Sequence, residues 1–386
     1  MDEMTPRERV ETTCRFKEPD RVPIDFGGLI STILDAGPYG YRALAEHLGV
    51  TDYEKPAVAY ILNSVANIDE RIYQRLHSDF RHVFPPNAEG PITVHEDGTM
   101  TVVHGIRFKP LGNWYNPFDF PLGNATTIED IQNYGKWANP NDPYYLEGTE
   151  ETLRHLKEDT DWSVYALCGY WGMLGHAYAF VAGFDKFLSD MIVNPEFYHA
   201  MMEHILDLNV QWIENYWGKL GDYPDVILIG DDMGAQDGPF MPPRMFQEFV
   251  KPYMGKLIKT IKKNSKAKLK LHSCGSVYQL IPDLIDIGVD ILNPIQPLAK
   301  DMAPAKLKKE FGRDIVLHGG IDEQRMLAFG TKEEVIEGTK EYLKILAPGG
   351  GYIAAASHNI EPETAPEVAV AMYDTCYEFG RYPIPQ

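Results

Sequence analysis

"DVILIGDDMG" (Asp225–Gly234) and "LKLHSCG" (Leu269–Gly275) decide how this chain folds. Each is a short apolar run that ends in polar residues and a glycine. Between them, "PPRMFQEFVKPYMGKLIKTIKKN" carries the apolar spacing of an amphipathic helix. An uninterrupted apolar run belongs to a strand buried on both faces, and strand–helix–strand with that burial is the unit of a parallel sheet. The rhythm extends outward through "WSVYALCGYWG", "DILNPIQ", "DIVLHGGID" and "GYIAAASHN". Helical patterns such as "PEFYHAMMEHILDLNVQWIENYW", "VYQLIPDLIDIG", "APAKLKKEFG" and "KEEVIEGTKEYLKILAP" lie between these runs. "VPIDFGG" (Val22–Gly28) adds a seventh strand, and one more closes a ring.

Polar residues end nearly every strand: Asp231 and Asp232, His272 and Cys274, Asn293 and Gln296, His318 and Asp322, His358 and Asn359. In a barrel such ends converge on one site at the C-terminal face. An open dinucleotide-binding sheet lacks support, because no G-x-G-x-x-G turn follows a first strand. The expected architecture is a (β/α)₈ TIM barrel forming a single domain over 1–386. A cap-like helical and β-hairpin insertion is expected over 29–150. Within it, residues 29 to 85 read as mostly helical, and Asp97-Gly98 marks a hairpin turn. At the N-terminus, Thr5-Pro6-Arg7-Glu8 is a helix start with a capping box.

Composition excludes some functions. A formal charge of −20 argues against nucleic acid and anionic membrane surfaces. No run approaches the roughly 20 apolar residues of a membrane span. The N-terminal "MDEMTPRERVETTCRFKEPDR" is too charged for a secretory signal. Four scattered cysteines (Cys14, Cys168, Cys274, Cys376) do not make a disulfide framework. The expected compartment is the reducing cytoplasm.

On a strand, residues two apart point the same way, so His272 and Cys274 present a nitrogen and a sulfur to one metal. That pairing suits Zn²⁺; the competing reading is a buried thiol beside a core histidine. A catalytic zinc takes three protein ligands. His358 leads for the third place, with Asp231 and Asp232 competing as ligands, as catalytic or supporting groups, or as turn caps. His318 is a candidate catalytic residue or a hydrogen-bonded histidine in the mouth. Asp25, Tyr170, Trp171, Asn293 and Gln296 are candidate substrate contacts. The insert's Trp114, Tyr115, Phe118 and Phe120 suit an aromatic substrate or cap packing. His47, His77, His82, His95, His104, His155, His176, His199 and His204 read as surface or packing residues.

Six segments together resemble the uroporphyrinogen decarboxylase superfamily. They are "MTPRERVETTCRFKEPDRVPIDFGG", "TIEDIQNYGKWANPNDP", "GDDMGAQDGPFMPPRMFQEFVKPY", "LHSCGSVYQLIPDLIDIGVDILNPIQ", "LHGGID" and "SHNIEPETAPE". The resemblance implies a (β/α)₈ barrel with its site at the C-terminal mouth. True decarboxylases of the superfamily carry arginines just after the first strand to hold tetrapyrrole propionates. Here no arginine stands between Arg21 and Arg42, which argues against that activity. The corrinoid-dependent methyltransferase branch carries H-x-C and a later cysteine as zinc ligands. His272 and Cys274 match the H-x-C, and His358 stands near the place of the later thiolate.

Exchanging a thiolate for a neutral imidazole makes the metal a stronger Lewis acid toward oxygen. That favours O-demethylation of an aryl methyl ether, with the methyl group passing to a corrinoid. Alternatives are a methyl-corrinoid:thiol methyltransferase, a metal-free decarboxylase-like lyase, and a non-catalytic corrinoid- or metabolite-binding barrel. The D-x-H-x-x-G pattern of a corrinoid module is missing, so the corrinoid is expected on a separate partner protein.

Overall fold

The computed structural model describes residues 3–35, 39–53, 58–60, 64–84, 92–112, 114–168 and 174–385. Seven strands form its main sheet: β1 (Phe80–Val83), β2 (Ser163–Leu167), β3 (Val226–Gly230), β4 (Lys268–His272), β5 (Ile291–Ile295), β6 (Val316–Gly319) and β7 (Tyr352–Ile353). They pair in chain order and all in parallel. Helices follow each strand from β2 onward, among them Pro195–Leu220, Lys251–Asn264, Ile281–Asp286, Pro304–Phe311, Lys332–Leu346 and Pro366–Phe379. Helical crossovers of this kind bury both faces of the sheet, which is why these strands read as apolar runs.

Residues 22–26 stand between the sheet's two edges. Ile24 bridges Ala354 in parallel, and the Asp25 amide donates to the Ala354 carbonyl while the Ala354 amide donates to the Pro23 carbonyl. On the other side the Asp79 amide donates to the Ile24 carbonyl. The "VPIDFGG" segment is thus the stave that joins β7 to β1 and completes the ring of eight.

One expectation fails. Residues 29–85 are not mostly helical: among the described residues the helices there are Tyr41–His47 and Glu70–Arg75, and β1 follows at Phe80–Val83. Arg81 and His82 interrupt the apolar run that marks the other strands. Both are satisfied by partners from elsewhere. Arg81 pairs with Glu70 at 2.7 Å and lies 3.7 Å over the Trp162 ring. The hairpin is as the turn signal indicates: Thr93–Val94 pairs with Met100–Thr101, and Gly98 takes φ +78°. Arg107–Leu111 and Trp114–Asp119 extend it to a four-stranded antiparallel sheet. Among the described residues no helix is long and apolar enough to cross a membrane.

The first helix, Pro6–Thr13, begins with the expected Thr5–Glu8 capping box. It delivers Arg9 to a buried clamp around Asp79. That carboxylate accepts from Arg9 (2.6 Å), from both Nη atoms of Arg21 (2.8 Å each) and from the Ile24 amide (2.8 Å). Removing it leaves two buried guanidinium groups short of a partner. Asp79→Ala is expected to cost about 3–5 kcal/mol, read as a lower denaturation midpoint with loss of the barrel's near-ultraviolet dichroism.

Candidate metal centre

His272 is the last residue of β4 and points into the barrel, and Cys274 stands two residues beyond on the same side. The turn that carries the thiol is strapped from both flanks. The Cys274 amide donates to Asp232 Oδ1 (2.7 Å), the Gly275 amide to Gln296 Oε1 (2.7 Å) and the Ser276 amide to the Ala235 carbonyl (2.8 Å). Gly275 sits at φ +77°, and a Cβ there would lie 2.5 Å from the carbonyl of Gly234. Only glycine allows the loops after β3 and β4 to touch this closely.

His358 arrives beyond β7, between the bridges Ile321–Ala356 and Ile33–Ile360. The ligand atoms of His272, Cys274 and His358 all lie within 4.8 Å of one another, with Cys274 Sγ 3.3 Å from His272 Nε2. His272 Nδ1 is 2.7 Å from Asn293 Oδ1. An amide oxygen only accepts, so Nδ1 carries the proton and Nε2 offers its lone pair toward the thiol. Burial, with His272 close by, brings His358 down to about 4, keeping it neutral. Burial and the neighbouring Asp232 push the Cys274 thiol up, so it holds its proton until a cation replaces it. Two neutral imidazoles and a sulfur in this space fit Zn²⁺.

The two aspartates after β3 part company. Asp231 is buried and accepts from the Gly175 (3.0 Å) and His176 (2.9 Å) amides, capping the helix Leu174–Ala182. Burial raises its pKa. Asp232 faces the trio: besides the Cys274 amide it lies 3.5 Å from His176 Nε2 and 3.8 Å from His272 Nε2. Burial opposes its charge, yet the hydrogen bond and charge of His176 hold it well below the usual carboxylate range.

Of the other candidates, Asn293 supports His272, Gln296 props Gly275, and Asp322 caps the turn Glu323–Leu327 through the Gln324 and Arg325 amides. His318 and Asp25 lie deeper, fully buried, with His318 Nε2 2.7 Å from Asp25 Oδ2. Trp114 brings its ring 6.1 Å from that of His358, whereas Phe118 sits under Arg107 and Lys109. Tyr170 and Trp171 lie outside the described residues.

Four residues escaped the sequence reading. Lys270 is buried on the same face of β4 as His272; the two-residue period that joins His272 to Cys274 also reaches back to it. His82, expected at the surface or in packing, is inside the barrel 3.0 Å from Asp25 Oδ1. His176 stands at the mouth beside Asp232. Glu323 is buried and accepts a hydrogen bond from the hydroxyl of Ser357, the neighbour of His358. Burial, then Asp322 and Glu361, raise Glu323 to about 7.

The sequence profile described as uroporphyrinogen decarboxylase (URO-D) matches residues 121–379, well over half of the chain. The chain belongs to the uroporphyrinogen decarboxylase family. A uroporphyrinogen decarboxylase of Francisella philomiragia subsp. philomiragia is 23% identical over 199 residues, which cover 51% of this chain and 54% of that protein. The chain thus spans about half the length of the curated relative it matches. A solved methyltransferase from Methanosarcina mazei superimposes with a TM-score of 0.64 at 18% identity, covering 98% of this chain and 99% of that one. At that identity the superposition shows a shared fold, and the URO-D family fold of this chain is a barrel of the TIM type.

Two outcomes test the site's construction. Gly275→Ala should lower the melting temperature and lose the spacing of the metal ligands, seen as weakened metal uptake. For Glu323 the folded pKa of about 7 lies above its ordinary 4.5. Its contribution is therefore intact below the unfolded pKa and is lost as pH rises through the folded one, worth up to roughly 3 kcal/mol. Glu323→Gln should flatten the fall in melting temperature across that window.

Proposed function

We propose that this protein is a zinc-dependent methyltransferase of the cytoplasm. It moves a methyl group from a small methylated compound, in the favoured case an aryl methyl ether, to the cobalt of a separate corrinoid protein. The observation that carries this reading is the His272–Cys274–His358 trio, with its ligand atoms within 4.8 Å at the C-terminal mouth of the barrel. Those three residues would hold the metal. A zinc ion bound there supplies Lewis acidity toward an ether oxygen, stronger with one thiolate than with two.

The chain's own residues do the rest. Asn293 keeps His272 Nε2 free of a proton. Asp232, through the Cys274 amide, fixes the direction of the thiol. Trp114, from the four-stranded antiparallel sheet, forms an aromatic wall beside His358. Glu323, raised to about 7, keeps a proton near neutral pH that a leaving phenolate can take; it fills this role better than Asp232, which stays ionised. The absence of arginine between Arg21 and Arg42 tells against a decarboxylase that grips propionates.

Purified protein should contain stoichiometric zinc, and Cys274→Ala should lose it. Cob(I)alamin with anisole-type donors should show the absorbance change of methylcobalamin formation. If those donors leave cob(I)alamin unchanged while a thiol demethylates methylcobalamin, the thiol methyltransferase reading replaces this one. Protein without zinc ends both. Trp114→Ala should raise KM for an aryl ether roughly fivefold with little change in kcat, as expected for the loss of about 1 kcal/mol of ring contact.

A further inference from the structure

Beneath the trio, four side chains form a continuous line of hydrogen bonds leading away from the metal site. Asp25 Oδ2 lies 2.7 Å from His318 Nε2, His318 Nδ1 lies 2.8 Å from Asn293 Nδ2, and Asn293 Oδ1 lies 2.7 Å from His272 Nδ1. Asp25, His318 and Asn293 are all buried to 1% exposure or less, so the line is shielded from bulk water. Burial, reinforced by Lys270, holds His318 neutral at about 4, leaving it one ring proton.

A neutral imidazole, a primary amide and a carboxylate can satisfy this line in one sense only. The carboxylate accepts, so His318 carries its proton on Nε2 and offers a lone pair at Nδ1. The Asn293 amide then donates to Nδ1 and turns its oxygen to His272, whose proton is drawn to Nδ1, away from the ligand site. Lys270 opposes this order. Its Nζ is 2.9 Å from His318 Nε2, where it would donate if Asp25 did not claim that atom. With Lys270 donating, the His318 proton moves to Nδ1, the Asn293 amide turns over, and its NH₂ donates to His272 Nδ1. His272 then carries its proton on Nε2 and cannot bind a metal.

We propose that Asp25 and His318 are positioning residues that, through the amide of Asn293 and against the pull of Lys270, set the tautomer in which His272 can bind a metal. This deepens the metal reading above and rests on it, but the tautomer is readable without metal. Long-range ¹H–¹⁵N spectra of the metal-free protein at neutral pH should show His272 protonated at Nδ1. In Asp25→Asn the proton should shift toward Nε2, and zinc affinity should fall at least about tenfold, the scale of effects from groups behind a ligand. The double variant Asp25→Asn/Asn293→Asp should recover most of that affinity, because a carboxylate at 293 accepts from His272 whatever His318 does.

Three results overturn the proposal: His272 protonated at Nε2 in the unaltered protein, unchanged zinc affinity in Asp25→Asn, or a double variant as weak as the single one. The wild-type spectrum decides alone if Asp25→Asn does not fold. A chain that takes up no zinc removes the proposed function, while the spectrum still shows whether the line of hydrogen bonds sets the tautomer.

Discussion

The site depends on closure of the ring by residues 22–26. This stave has too little regular pairing to hold by ladder bonds, and Asp79 makes up the difference: one buried carboxylate gathers Arg9, Arg21 and the Ile24 amide. A buried ion pair stabilises only when its geometry satisfies every donor and lone pair, and here charge-assisted bonds on both oxygens meet that condition. The clamp fixes the height of the stave, and thereby the depth at which Asp25 enters the barrel.

TIM barrels usually fill their interior with layers of branched apolar side chains. Here the layer under the mouth contains Asp25, His82, Lys270, His318 and Asn293, all buried. Such a layer costs folding free energy relative to an apolar one unless it is fully paired. Asp25, Lys270, His318 and Asn293 pair with one another and then with His272, so the polar interior and the His272–Cys274–His358 trio form one structure. His272 is held from behind by this buried, charged layer through Asn293.

Much of the fold is legible in the sequence because β2 to β7 are mainly apolar runs, most of them leading into polar residues at their C-terminal ends. β1 is not, since "FRHV" carries two polar side chains whose partners, Glu70, Trp162 and Asp25, are set by tertiary contact. The H-x-C pair is readable from the two-residue period of a strand; the same period includes Lys270, hidden by the habit of placing lysines at the surface. Nothing local separates Asp231 from Asp232. Which of them caps a helix is decided by packing against Gly175 and His176, more than fifty residues upstream. Depth is also invisible in sequence: His318 lies within β6 and is sealed, while His272 ends β4 and meets the mouth.

The trio draws its members from distant parts of the chain: His272 from the end of β4, Cys274 from the turn after it, and His358 from a segment pinned against Ile33. Contacts of such long range form late, after the entropy of closing large loops has been met. During synthesis, β4 exists for some eighty residues before its third ligand is made, and the nascent thiol must wait for the C-terminal stretch. On the proposed metal reading, loading is therefore coupled to completion of the polypeptide, and a prematurely terminated product would retain the H-x-C signature yet have no closed coordination set to offer.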